Sequence, residues 1–116
     1  MKKLIAYAAL ALTSAVSFNV AASDIAAGEA LAKKFNCASC HGADFNTPID
    51  PSYPKLAGQH RDYLSVAMIA YKRGANVANG RTNAIMAAQV KPLSTRDIQD
   101  IAAYLESLPG SMVQKR

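Results

Sequence analysis

Five consecutive residues, Cys37-Ala38-Ser39-Cys40-His41, hold both cysteines of the chain and one of its two histidines. This concentration constrains the fold more than any other feature. A chain of 116 residues with no Trp, three Phe and five Tyr can bury only a modest core. Domains near this size often rely on a disulfide, a metal or a cofactor. Four arrangements of the five residues are chemically open: a disulfide, a redox dithiol, part of a zinc site, or the attachment point of a larger group.

The N-terminus sets the compartment. Met1-Lys2-Lys3 is a short basic head, residues 4–12 are an apolar run, and Val20-Ala21-Ala22-Ser23 closes the stretch on small residues. That is the grammar of a cleaved secretory signal peptide over residues 1–22. An uncleaved anchor would need roughly 20 mostly apolar residues. Here Thr13, Ser14, Ser17 and Asn19 interrupt the run, so stable membrane insertion after cleavage is not expected. The absence of a cysteine near the cleavage site excludes a lipid anchor there. Removing 22 of the 116 residues leaves 94, residues 23–116, as one soluble domain, expected in the periplasm. The formal charge falls from +5 to +3 as Lys2 and Lys3 depart. A mild basic balance suits an acidic protein partner. It is too weak to argue for nucleic acid, and no basic run with interleaved aromatics supports that idea.

The remaining chain reads as helices joined by Pro- and Gly-rich loops. Residues 24–35 are Ala-rich, with Ile25, Gly28, Leu31 or Ala32 and Phe35 at helical spacing, and Ser23 or Asp24 can cap them. Gly28 in mid-helix marks a close helix crossing, since Gly there otherwise costs about 1 kcal/mol relative to Ala. Residues 42–58 carry Pro48, Pro51 and Pro54 and no periodic run, which predicts a loop. Residues 60–73 return to helix, with Tyr63, Leu64, Ala67, Met68 and Tyr71 as an apolar stripe and Gly74 as a stop. Residues 75–92 read as irregular around an apolar knot at 84–88. A last helix starts at the Ser94 cap, with Asp97 in its first turn and Ile98, Ile101, Ala102, Leu105 and Leu108 along one face. No strand periodicity occurs, so the expected class is all-α, with about three to four helices.

These surroundings separate the four arrangements. A disulfide across two residues closes a very short loop and constrains the unfolded chain least. A thioredoxin-like dithiol belongs at a strand end in a βαβ unit, and no such strands are predicted. Zinc wants four tetrahedral ligands. The chain offers Cys37, Cys40, His41 and, beyond them, only His60, which leaves zinc a minor reading. The fourth arrangement uses all three residues. C-x-x-C-H is the attachment signature of c-type haem. Thiols at i and i+3 can bond the two vinyl groups, and the next residue, His41, presents a ring nitrogen to iron as the proximal ligand. Export agrees, because covalent haem attachment in bacteria belongs outside the cytoplasm.

With that motif in place, the chain resembles a class I c-type cytochrome. It is similar to the small monohaem bacterial periplasmic kind, and to one half of the di-haem periplasmic cytochromes c. The resemblance spans residues 24–110: an Ala/Gly helix into CASCHG, then YPKLAGQ at 53–59, a helix ending in YKRG, a Met-bearing loop, and LSTRDIQDIAAYLESLPG at 93–110. It implies a cytochrome c fold wrapped around one covalently attached haem, with the first and last helices crossing at Gly28 and Tyr104. It also implies that the Pro54 carbonyl orients the His41 ring and that Leu56 packs on the haem. The residues taken alone leave a simple Pro-Gly turn equally open.

The far side of the iron decides the function. Met or His there makes an electron carrier, whereas an open site makes a sensor or a peroxidase. Met68 lies on a helix face, where Met usually fills core. Met112 follows the Pro-Gly stop in a tail that should fray. His60 opens a helix and reads as exposed or capping. Met86 sits in the irregular knot, and the resemblance implies that the axial Met occupies this place, with Met68 the runner-up. The expected function is then one-electron transfer between redox partner proteins, for example a reductase or a terminal oxidase, rather than enzyme catalysis. The electron-entry subunit of a larger oxidoreductase is the alternative. Lys55, Lys72, Arg73, Arg81 and Lys91 are placed to steer an acidic partner.

Overall fold

The computed structural model describes residues 22–112; the leader expected over 1–22 lies outside them but for Ala22. Five helices and no strand occur among the described residues: α1 (Ile25–Lys34), α2 (Ala38–His41), α3 (Arg61–Arg73), α4 (Ala84–Val90) and α5 (Thr95–Ser107). Against the expected three to four, the helices not placed by the sequence reading are the single turn α2 and the short α4. The second corrects the irregular reading of residues 84–90.

Three of the five helices begin at a side-chain cap. The Asp24 carboxylate accepts the Ala27 N–H at 3.1 Å and starts α1. Asn83 accepts the Met86 N–H at 3.0 Å and starts α4. Ser94 and Asp97 form a reciprocal capping box on α5: the Ser94 hydroxyl accepts the Asp97 N–H at 3.0 Å, and the Asp97 carboxylate accepts the Ser94 N–H at 2.9 Å. Lys33 and Lys34 in the last turn of α1 complement its dipole.

α1 and α5 cross at Gly28. A Cβ on Gly28 would lie 1.9 Å from the Asp100 carbonyl oxygen and 2.9 Å from the Tyr104 Cβ, so any side chain there would force the helices apart. The same crossing buries the Asp100 carboxylate, which accepts the Asp24 N–H at 2.8 Å and the Arg96 Nε–H at 3.2 Å. A buried carboxylate is tolerable only when so partnered. Ile98, Ile101, Ala102 and Leu105 of α5 are buried against Ala32 of α1, Leu64 of α3 and Val90 of α4. Each large apolar side chain buried this way contributes about 1.5–3 kcal/mol. Leu108 falls outside α5 as its C-cap and packs on the core only in part.

The long loop after α2 is held by its own side chains. Asp44 accepts the N–H groups of Asn46 and Thr47, both at 2.9 Å, and the Thr47 hydroxyl. Phe45, 4 % exposed, packs edge-on against Tyr104, and its carbonyl accepts from Leu56 and Ala57. These bonds bring residues 53–57 back beside α2. Arg61 at the start of α3 pairs with Glu106 of α5.

Candidate functional site

Helices α2 to α5 and the loops between them enclose a cavity of about 550 Å³, walled largely by apolar side chains. That lies within the roughly 300–1,000 Å³ typical of cofactor sites. α2 supplies one wall with Cys37, Cys40 and His41; α3 and α4 supply Met68 and Met86.

The single turn of α2 follows from its flanks. Asn36 adopts φ 54°, a conformation Asn tolerates better than most residues, and ends the run from α1. The carbonyl of Cys37 then accepts from Cys40 and His41. This one turn of backbone thereby brings both cysteine side chains and the imidazole to the same cavity. The two cysteines form no disulfide with each other and are half-buried. Burial pushes the Cys37 thiol above its ordinary value. That is the opposite of the lowering a nucleophilic dithiol requires.

His41 is 7 % exposed. Its Nδ1 lies 2.9 Å from the Pro54 carbonyl oxygen, and its ring stands 6.5 Å from that of Tyr53. A carbonyl only accepts, so Nδ1 donates, and in the neutral ring it is Nε2 that carries the lone pair. That is the tautomer a metal needs. Leu56 lines the same cavity.

Three thioethers line the cavity: Met68, Met86 and Met112. Met86 is half-buried in the first turn of α4, between Ile85, which is 53 % exposed, and Ala87. Met112 does not fray as the sequence suggests. The Gln59 amide reaches its sulfur at 3.7 Å, while Ser111 donates twice to Asn46. The tail is thus strapped to the loop across the cavity edge, through contacts 53 and 65 residues apart in sequence. His60 is exposed, serves as the N-cap of α3 and lies 3.8 Å from Glu106. It does not line the cavity.

Of the basic residues predicted near the site, Lys55 and Arg81 line the cavity; Lys72, Arg73 and Lys91 do not. The Lys72 ammonium is committed to the Leu93 carbonyl, which ties α3 to the turn before α5. Among the described residues no carboxylate side chain lines the cavity, and the charged side chains that do are cationic. An apolar slot with two thiols and a lone-pair imidazole on one wall, thioethers on another and cations at its edge fits a flat apolar cofactor. Such a group would carry a soft or borderline metal and anionic substituents. Among the described residues no cluster of three or more His, Cys, Asp or Glu offers a metal site of protein ligands alone.

Residues 25–109 match the family model described as Cytochrome c. Cytochrome c4 of Stutzerimonas stutzeri is 41 % identical over 96 residues, covering 79 % of this chain and 44 % of that protein. Cytochrome c-554(548) of Halomonas halodenitrificans is 42 % identical over 86 residues, covering 74 % of this chain and 98 % of that protein. The crystal structure of reduced recombinant cytochrome c4 from Pseudomonas stutzeri matches with a TM-score of 0.64 at 38 % identity, covering 78 % of this chain and 48 % of that one. The chain therefore spans about half the length of the cytochrome c4 relatives and nearly all of the length of cytochrome c-554(548).

Proposed function

The chain belongs to the cytochrome c family, and from that premise we propose that it is a one-electron carrier whose covalently bound haem c has His41 and Met86 as its axial ligands. Haem c, bound in the cavity, supplies one iron that changes by a single electron. The protein's own residues determine how. Cys37 and Cys40 anchor the group through two thioether bonds. His41 offers Nε2, and Pro54 holds the ring in the orientation and tautomer that ligation needs. Leu56, Leu64 and Val90 keep water from the slot, and Lys55 and Arg81 at its edge offset the charge of anionic substituents.

The observation that carries the reading is the His41–Pro54 bond beside two half-buried cysteines on the same turn. Met86 is favoured over Met68 and Met112 for its place on a short, separately anchored helix with an exposed neighbour. Met68 and Met86 both pack in part against the core, but Met68 belongs to the long helix α3, and the Met112 sulfur accepts from Gln59. If His41 and Met86 both held the metal, no position would be left open to a substrate, which favours electron transfer over catalysis.

The electron partners would be acidic proteins. The cavity edge carries Lys55 and Arg81, and electrostatic steering by such charges raises association rates and falls with salt. A second reading, electron transfer as a subunit of a larger oxidoreductase, takes support from Tyr63 and Ile85, apolar side chains 52 % and 53 % exposed at the cavity. The signal grammar of residues 1–22 supports export to the periplasm, with residues 23–116 as the mature domain. No helix among the described residues is long and apolar enough to cross a membrane.

A redox titration of the purified protein tests the function. One reversible one-electron couple, with no turnover of peroxide, is expected; sustained peroxide reduction would replace the carrier with an enzyme.

A further inference from the structure

Residues 74–83 join α3 to α4, and this loop is closed upon itself. A Cβ on Gly80 would lie 1.7 Å from the Gly74 carbonyl oxygen, so only glycine lets the two ends meet. The Gly80 N–H donates to the Val77 carbonyl at 3.1 Å, and the Arg81 N–H reaches back to the Ala70 carbonyl of α3 at 3.0 Å. The Arg81 side chain continues that return. Its guanidinium carbon stands 5.6 Å from the ring centroids of both Tyr63 and Tyr71, and Nη2 donates to the Tyr63 hydroxyl at 3.3 Å. These hydroxyls, Tyr63 first and Tyr71 second, raise the Arg81 guanidinium further above its ordinary value. Two residues on, Asn83 caps α4 on the N–H of Met86. Arg81 is the one charged residue of residues 74–83.

We infer that Arg81, gripped between Tyr63 and Tyr71, is a positioning residue for the Met86 thioether: it fixes where α4 begins and so what α4 presents to the cavity. The inference rests on the proposed reading of Met86 as the distal ligand. α4 has seven residues, too few to hold its shape alone, so anchors at its two ends decide its place. At the far end Val90, 1 % exposed, is sunk in the core. At the near end the anchor is the Arg81 clamp, passed on through the Asn83 cap. A guanidinium suits the task because it is planar and can stack on two rings while donating in its plane. An ammonium has no plane to stack.

The test uses the holoprotein in four forms: wild type, Arg81→Gln, Arg81→Lys, and Arg81→Gln combined with Tyr63→Leu. Amide hydrogen exchange across residues 84–90 is expected to quicken about tenfold in Arg81→Gln, with the amides of α5 unchanged. Cyanide binding to the ferric protein, which requires the distal ligand to leave, is expected to quicken by a similar factor. The double variant should match Arg81→Gln, because both substitutions break one contact. Arg81→Lys should recover less than half of the loss. Unchanged exchange across residues 84–90 would overturn the inference. So would an equal rise in α5, which marks general loosening, or full recovery by Lys. Met86→Ala, measured alongside, keeps the two claims apart. If it binds cyanide no faster than wild type, the ligand reading fails, and exchange across α4 decides the clamp by itself.

Discussion

His41 Nδ1 and the Pro54 carbonyl oxygen are 2.9 Å apart, although 13 residues separate them in the chain. The bond exists because Phe45 folds the intervening loop back on itself, accepting from Leu56 and Ala57. It leaves Nε2 as the nitrogen available to a metal, and a ligating imidazole that donates its other proton is a stronger base. Pro54→Gly frees the backbone at that carbonyl and should weaken the bond. The imidazole then gives less electron density to the oxidised iron. The midpoint potential should rise by on the order of tens of millivolts, as read by redox titration. An unchanged potential alongside a lost Nδ1–H resonance would disconnect the bond from the metal.

The crossing of α1 and α5 leaves no room at Gly28. Gly28→Ala places a Cβ 1.9 Å from the Asp100 carbonyl, and the neighbour is backbone, which cannot swing away. Destabilisation of about 1–3 kcal/mol or more is expected, by denaturant unfolding of the holoprotein. A midpoint equal to wild type would show that the helices part without cost.

Cys37 and Cys40 are read as two independent covalent anchors. Each single Cys→Ser variant should keep its haem through denaturing electrophoresis, though in lower yield. The double variant should release it to acidified organic solvent. Retention in the double variant would refute the attachment role.

The capping box of α5 makes a pH prediction. The backbone N–H of Ser94 first, and its side chain second, hold the Asp97 carboxyl below its ordinary value of about 3.9. Asp44 is lowered in the same sense, by the Asn46 N–H first and the Thr47 hydroxyl next. A carboxyl lowered in the folded state stabilises it above the unfolded value, and the contribution is lost as pH falls through the folded value. Stability should thus hold down to about pH 5 and decline below about pH 4. Asp97→Asn should cost stability at pH 7 and shallow the acid decline; an unaltered acid slope would remove Asp97 from the account.

Most of the helical frame was legible because its signals are local. Asp24, Ser94 and Asp97 announce helix starts, Gly74 announces a stop, and Gly28 in mid-helix announces a close crossing. The gathering of Cys37, Cys40 and His41 in one turn follows from their spacing alone. α4 was not legible. Seven residues give too few periods for an apolar face to show, and only Asn83, in a polar stretch of similar residues, marks the start. The helix exists because Val90 and the Arg81 clamp hold its ends. The contact at Met112 is hidden for a related reason. Its partner Gln59 lies 53 residues away, and composition at a C-terminus does not reveal such a contact. The charge of Lys72 was visible, but its commitment to the Leu93 carbonyl was not, because a carbonyl leaves no mark in a sequence. The same holds for Asp100, whose burial depends on the Asp24 N–H that the helix crossing brings to it.

The central claim is that Met86 closes the iron opposite His41, and carbon monoxide tests it most directly, since it binds ferrous haem only where a coordination position is open. The ferrous wild-type protein should show no spectral change under carbon monoxide, Met86→Ala should bind it at once, and Met68→Leu should remain inert. A wild-type protein that takes up carbon monoxide, or a Met86→Ala variant that stays inert while Met68→Leu opens, would contradict the account.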